Sequence, residues 1–490
     1  MHNSQDLQKV LKVRDAMMGG SEKRLKEQRE AGKLTARERV NRLADAGSFV
    51  ELFALLSRDG DGAGVVTGYA TVGQRPVYLF AQDYAVHGGA MGKQQAEKIL
   101  KLLSLALKTG APVVALMDSA GVRIDEGAGA LCAYGDIYRE LARMSGVCPI
   151  LAVVMGPCIG GAALISQLAD LTVMVQKTGE LMAFGPQVLA AANGAEVNAA
   201  RLGGADTAAQ SGACALTAAT EDQALELVKQ ALGYLPSSNL EDSEIIDTDD
   251  MSRLLAPIDP SHVDALFAAL SDGGSYMELY AAYEPCVRVA LTRLGGRSAG
   301  LVSANGALTA GGLQKAARFV RLLDCFGLPI VSLVNTSGVE IPTVSGQSWL
   351  LKAQSQLLYA YAEATVPKLA VITGDAIGQA YVAMGAKGIA DVTYAWPGAV
   401  ISALTPEAAV AVLYAEKVKA DLALSAEEAR AKYAGQYVDE VAGALRAATD
   451  GLVDDIIDPA RTRALLISAL EMLASKRDSN PPKKHGNLPM

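Results

Sequence analysis

The amino-acid sequence predicts an α/β protein built as two tandem copies of one domain. Self-comparison is the first observation. Leu43–Leu52 (LADAGSFVEL) recurs as Leu270–Leu279 (LSDGGSYMEL), and VGQRPVYLF from Val72 recurs as LGGRSAGLV from Leu294. Asp118–Ile124 (DSAGVRI) matches Asn335–Ile341 (NTSGVEI), Met155–Leu164 (MGPCIGGAAL) matches Thr373–Val382 (TGDAIGQAYV), and Ala169–Thr172 (ADLT) matches Ala390–Thr393 (ADVT). The five anchors keep their order, with offsets between 217 and 227 positions. The second observation is that short apolar runs alternate with helical periodicity in each copy, which implies parallel strands joined by crossover helices. The third is size: 490 residues, 50% hydrophobic and 20% charged, supply more than one buried core and exclude a disordered or fibrous chain.

The elements follow in order. The front segment Asp6–Ala46 is helical and strongly charged (EKRLKEQREAGKLTARERV). In the first copy PVYLF reads as a strand, QQAEKILKLLSLALKTG as a helix and PVVALMDSAG as a strand running into a glycine turn; LAVVMGPCIGGAALISQLA is a second strand-turn-helix unit. The stretch Leu235–Ser261 is rich in acids, Ser and Pro and lacks sustained periodicity, which marks a linker. SAGLVSA, LQKAARFVRLLDCFG, LPIVSLVNTSG and LAVITGDAIGQAYVAMGA repeat the pattern, and KRDSNPPKKHGNLPM is an irregular surface tail. The expected division is residues 1–240 and 263–490 as the two domains, with 241–262 between them.

Composition narrows the function. A net charge of -9 disfavours a nucleic-acid partner, whose phosphates call for clustered positive charge. Six widely spaced cysteines without a C-x-x-C pair argue against zinc, iron–sulfur and disulfide frameworks; they read as buried thiols of a reducing cytoplasm. The polar N-terminus lacks the apolar region of a secretory signal. Met144 to Ala169 is uncharged and long enough for a bilayer, but Pro149, Gly156-Pro157 and Gly160-Gly161 interrupt it, and a buried strand, turn and helix start explain it better. With only 4 His but 48 Gly, a catalyst here must rely on backbone groups.

Parallel α/β sheets bind ligands at strand C-termini, where a glycine turn enters a helix and unpaired N–H groups point outward. Each copy carries two such turns: Ser119-Ala120-Gly121-Val122 and Gly160-Gly161, then Ser337-Gly338-Val339 and Gly378-Gln379-Ala380. Paired turns of this kind can offer two N–H groups to one developing oxyanion. Tight turns and close packing alone would also explain the glycines, but their recurrence in both copies favours a shared use. Neither G-x-G-x-x-G nor G-x-x-x-x-G-K-[ST] occurs at them.

GGSEKRLKEQREAGKLTARERV, FAQDYAVHGGAMG, DSAGVRIDEG, MGPCIGGA, KAARFVRLLD, AEATVPKLAVIT and KHGNLP resemble the signature segments of the carboxyltransferase subunits of biotin-dependent acyl-CoA carboxylases, across nearly the whole chain. The resemblance implies two crotonase-like domains, biotin held on a separate carrier protein, a biotin carboxylase on another chain, an acyl-CoA substrate and a hexamer formed as a trimer of dimers. It implies that carboxyl transfer passes through a thioester enolate, with biotin itself as the base. Carried over by motif, Gly160 and Gly161, supported by Gly121 and Val122, would hold the thioester oxygen, and Gly378, Gln379 and Ala380 the biotin oxygen. Arg24, Lys33 and Arg37 would edge the CoA phosphates, although a solvated helical face is the plainer reading; Arg123 would contact a phosphate or else pair within its loop with Asp118, Asp125 and Glu126. Val382 occupies the position that tunes acyl length, and an apolar residue there implies acetyl or propionyl groups.

Three departures stand out from that pattern. Gln379 replaces a glycine, the loop 335–342 differs, and the segment from Leu52 to Gly64 is short. His87, Tyr381 and Trp396 receive no catalytic role. A sodium-pumping decarboxylase or transcarboxylase subunit would share all these features, and an acyl-CoA-binding paralogue without transfer activity would share most.

Overall fold

A computed structural model describes residues 2–18, 20–56, 62–194, 198–246, 249–341 and 346–489. The chain divides into two compact units, Met1–Asp242 and Ser243–Met490. The first contains β1 (Val50–Leu52), β2 (Val65–Val72), β3 (Arg75–Gln82), β4 (Val113–Ser119), β5 (Ile150–Ile159), β6 (Leu171–Val175), β7 (Glu180–Met182) and β8 (Leu216–Ala218). The second contains β9 (Tyr276–Leu279), β10 (Val287–Leu294), β11 (Arg297–Leu308), β12 (Ile330–Val339), β13 (Lys368–Ile377), β14 (Val392–Ala395), β15 (Val400–Ser402) and β16 (Asp455–Ile456).

The first sheet runs β1-β2-β3-β4-β5-β6-β8 with β7 added on β5, and the second runs β9-β10-β11-β12-β13-β14-β16 with β15 added on β13. The duplication read from the sequence is therefore a duplication of topology. In both sheets the first three strands are antiparallel and the rest parallel. β4 is buried along its whole length and reads as an apolar run from Val113 to Met117 before the buried Asp118 and Ser119, as expected of a central parallel strand covered on both faces.

Six helices of the first unit matter below: α1 (His2–Met18), α2 (Glu22–Glu30), α3 (Ala36–Leu43), α4 (Lys93–Thr109), α5 (Ala128–Met144) and α6 (Gly161–Leu168). The charged front segment is thus three helices, the third opened by a capping box between Thr35 and Glu38. Ile99 and Leu102 of α4 and Ile137 and Leu141 of α5 pack with Val113, Ala115 and Ile150 in the first core. The uncharged stretch from Met144 to Ala169 resolves into the end of α5, β5 and α6. No helix among the described residues is long and apolar enough to cross a membrane.

Residues 241–262 form no helix or strand among the described positions. From Ser243 onward they belong to the second unit: Ile246 N–H donates to the Gly296 carbonyl, Leu255 N–H to the Ala460 carbonyl, and Leu255 joins the second core. The C-terminal tail is irregular but anchored, through Lys476 to Asp391 and Lys483 to Glu363. Three cysteines depart from expectation: Cys132 on α5 is exposed and Cys286 and Cys325 are half-buried, while Cys148, Cys158 and Cys214 are buried, and all six are free thiols.

Candidate active site

Two adjacent turns close the C-terminal ends of β4 and β5. After β4, Gly121 adopts φ +112, and its own N–H returns to the Ser119 hydroxyl at 3.2 Å. Its carbonyl takes the Met91 N–H at 2.8 Å and the Tyr134 hydroxyl at 2.9 Å. The Val122 N–H has no acceptor among the described residues. After β5, Gly160 adopts φ +62 and its N–H donates to the Met182 carbonyl of β7 at 2.9 Å. Helix α6 then starts at Gly161 without a side-chain cap, so its first N–H groups lack an intrahelical acceptor. Gly160 and Gly121 thus shape the turns and spend their N–H groups internally, while the Gly161 and Val122 N–H groups have no acceptor among the described residues.

The second unit repeats the device. Gly338 has φ +105, and its N–H is taken by the Thr336 hydroxyl at 3.1 Å. Val339 pairs with Leu308 in the β11–β12 ladder with Glu340 N–H bonded to the Leu308 carbonyl, which turns the Val339 N–H away from β11. Gly378 has φ +64, and the helix Gly378–Gly385 begins without a side-chain cap. Gln379 is not left-handed, so the glycine-to-glutamine departure falls where any residue but proline presents the same N–H. Val339 is a residue the motif reading left without a role, although it stands 217 positions after Val122 and the repeat offset points straight to it. Pro342 and residues 57–61, within two of the departures noted above, lie outside the described residues.

Lys33 and Arg37 are paired with carboxylates, not displayed on a solvated face, and Arg123 keeps a pair within its own loop. Lys33 is almost buried, its ammonium 2.8 Å from the Asp118 carboxylate. Arg39 is wholly buried, paired with Asp118 at 2.8 Å and with both oxygens of Glu221. Burial opposes the Arg39 charge, but Asp118 and Glu221 outweigh it and raise its pKa further. Arg37 makes a two-pronged pair with Glu51 at 2.8 and 2.9 Å. Arg123 pairs with Asp125 at 2.6 Å and approaches Glu126 at 3.5 Å, while Glu126 caps α4 by accepting the Lys93 N–H. Asp118 has no part in that loop pair. Lys33, Arg37 and Arg123 are therefore committed to carboxylates. Arg24 has no carboxylate partner among the described residues; it lies over the Tyr84 ring, and its guanidinium borders Gly88, itself against Ala120 of the first turn.

A cavity of about 580 Å³ opens beside Gly160, walled by Leu164, Leu181, Phe184, Leu202 and Thr207. Val382 is exposed on the first turns of the helix that follows Gly378. His87 is exposed in a short turn, and Trp396 is a core residue whose indole N–H reaches Thr462. No group of three or more metal-ligating side chains gathers among the described residues. The chemistry on offer is thus two sets of backbone N–H donors at uncapped helix starts, suited to stabilising developing negative charge on oxygen.

The family model for the carboxyl transferase domain matches residues 27–488. The chain belongs to this family. It is 40% identical to the methylmalonyl-CoA decarboxylase subunit alpha of Veillonella parvula, over 99% of this chain and 98% of the relative. It is 38% identical to the biotin-dependent acetyl-/propionyl-coenzyme A carboxylase beta5 subunit of Mycobacterium tuberculosis (strain CDC 1551 / Oshkosh), over 94% and 90%. Among solved structures it matches transcarboxylase 12S, described as a hexamer with hydrolysed methylmalonyl-coenzyme A bound, with TM-score 0.92, 36% identity and coverage of 99% of this chain and 98% of the other. The two units are accordingly crotonase-like carboxyltransferase domains, and the protein is a carboxyltransferase-family enzyme.

Proposed function

We propose that the protein transfers a carboxyl group between biotin, carried on a separate protein, and the α-carbon of a short acyl-CoA, acetyl- or propionyl-CoA. The observation that carries this reading is the repeated pair of turns. In the first unit the Val122 and Gly161 N–H groups receive the thioester oxygen and stabilise the enolate oxyanion. In the second, Gln379 and Ala380 at the uncapped helix start, with Val339 beside them, receive the ureido oxygen of biotin; an acceptor carrying negative charge fits a helix N-terminus that no side chain caps. When bound, biotin supplies the carboxyl group and the base that removes the α-proton, which suits a site without a histidine. Arg24 is the candidate for the CoA phosphates, being a cation beside the first turn with no carboxylate partner among the described residues. Val382 is the candidate limit on acyl length.

The same reading calls for assembly. Ile124, Leu131, Leu164 and Phe184 are exposed around the first-unit turns, and Ile341, Leu351, Val382 and Leu404 are exposed at the matching places of the second, 217 to 220 positions later. Apolar faces of this kind mark contact surfaces. They support a site completed between the first unit of one copy and the second unit of another, within a hexamer served by a biotin carboxylase and a biotin carrier on other chains. Six free thiols suit a cytoplasmic location.

Direction is set by the partners, since the half-reaction is the same in a carboxylase, a decarboxylase and a transcarboxylase; a membrane decarboxylase subunit encoded beside this chain would assign decarboxylation. The reading itself is tested by incubating the protein with malonyl-CoA or methylmalonyl-CoA and free biotin. Biotin-dependent loss of the carboxylated thioester is expected. CoA binding without that loss would overturn transfer and leave an acyl-CoA-binding protein.

A further inference from the structure

We propose that Tyr134 and Tyr138 are positioning residues that aim and polarise the N–H donors of the first unit's oxyanion site; the inference rests on the carboxyltransferase reading above. The two side chains project from α5 one turn apart, with ring centroids 5.8 Å apart and planes 20° apart. The Tyr134 hydroxyl donates to the Gly121 carbonyl at 2.9 Å, and the Met91 N–H reaches the same oxygen at 2.8 Å. In a trans peptide the C=O and N–H point opposite ways, and no peptide bond here is cis. Holding the Gly121 carbonyl toward buried Tyr134 therefore turns the Val122 N–H away from it, where it has no acceptor among the described residues.

The same pair governs the second turn. The Tyr138 hydroxyl donates to the Gly161 carbonyl at 3.0 Å. The Tyr134 ring lies so close to Gly161 that an added Cβ would sit 2.6 Å from it. The Ala162 N–H and the Ser119 hydroxyl both approach the Tyr134 oxygen and favour its ionised form, but burial dominates and holds its pKa far above the ordinary phenol value. Burial likewise pushes Tyr138 up to about 12. Both hydroxyls therefore remain protonated donors at neutral pH. One phenol oxygen thus bridges the turn after β4 and the start of α6, setting the spacing between the Val122 and Gly161 donors. A carbonyl that accepts such a bond polarises its peptide and strengthens the attached N–H, here that of Val122; the Ala162 N–H behind the Gly161 carbonyl faces the Tyr134 oxygen, so Tyr138 acts by fixing the orientation of Gly161. In both units the turn carbonyl also accepts from a hydroxyl of its own turn, Ser119 to Gly121 at 3.3 Å and Thr336 to Gly338 at 3.1 Å, but among the described residues no tyrosine hydroxyl reaches Gly338, so the tyrosine device belongs to the first unit.

The test removes only the hydroxyls. For Tyr134→Phe, and separately Tyr138→Phe, kcat and KM are measured for biotin-dependent decarboxylation of methylmalonyl-CoA, together with the carbonyl stretching frequency of bound ¹³C-acetyl-CoA. For Tyr134→Phe, kcat is expected to fall about tenfold with KM within about twofold, and the stretch to move back toward its solution value. Tyr138→Phe is expected to change the same quantities in the same direction, by less. If wild type turns over and both phenylalanine variants match it in kcat and in carbonyl frequency, the positioning role is overturned. If wild type shows a shifted carbonyl that Tyr134→Phe abolishes but no turnover with biotin, the positioning role stands and the transfer reading fails.

Discussion

At Gly161 two demands fall on one residue: its N–H must face the site, and its Cα must tolerate the Tyr134 ring. Gly161→Ala and Gly161→Pro both place a Cβ against that ring, but only proline deletes the N–H, and proline is otherwise acceptable at a helix start. Steady-state kinetics of the two variants separate the demands. The proline variant is expected to lose a further ~10² to ~10³ in kcat relative to alanine, the size of one oxyanion donor; equal rates would remove Gly161 from the donor set. In both units the conformational demand sits one residue earlier, at Gly160 and Gly378. Gly378→Ala forces a Cβ onto a backbone with φ +64 and should cost about 1 kcal/mol by urea denaturation, whereas Gln379→Gly should leave kcat within about twofold. The turns themselves were legible in the sequence because glycines recur in both copies. Which glycine donates was not, because the Gly160 N–H is claimed by Met182 on β7, a partner that only the strand pairing reveals.

The front helices are held to the first sheet by charge as well as by packing. Lys33, between α2 and α3, and Arg39 on α3 converge on Asp118 at the end of β4, and Arg39 continues to Glu221 at the start of the helix Glu221–Tyr234. Gly156 makes room: a Cβ there would lie 2.0 Å from the Asp118 carboxylate. The matching position of the second unit is Asn335, which meets the Asn305 side chain at 3.0 Å and the Asp375 N–H at 3.2 Å, so a neutral amide suffices where no cation is buried. Asp118→Asn strands two buried cations and should lower the urea stability of the first unit by about 3 kcal/mol. Unchanged stability would show that Glu221 alone balances them. The helices of this segment were readable from their periodicity and capping box, but the cations' partners lie 85 and 182 positions away, beyond any local pattern. The tyrosines of α5 were hidden for another reason: aromatic residues at i and i+4 look like ordinary core, and their hydroxyl bonds depend on where β4 and β5 end.

At the scale of the whole chain, duplication has copied a buried cation as well as a sheet. Lys98 is the sixth residue of α4, and Lys315 is the sixth of the helix Ala310–Cys325. Each follows the strand that joins the antiparallel and parallel parts of its sheet, and among the described residues each ammonium bonds only backbone oxygens: Val65 for Lys98 at 2.7 Å, Tyr280 and Tyr283 for Lys315 at 2.9 and 2.6 Å. Burial lowers both pKa values to about 8 from the ordinary 10.5. Between those limits the unfolded chain binds more protons than the folded one, so the penalty of burying each charge is in full force below about 8 and is relieved as pH rises toward about 10.5. Other buried groups titrate in the same range, so the wild-type profile alone does not isolate the effect; its difference from a variant without the titrating amine does. Lys98→Met and Lys315→Met should each lose stability relative to wild type as pH climbs through that interval, by at most about 1.4 kcal/mol per pH unit. Urea midpoints followed across the interval check it, and the two variants should show the same slope in their separate units. A difference that stays flat with pH would mean that the amines remain charged in the folded protein and that the carbonyl cages solvate them as well as water does.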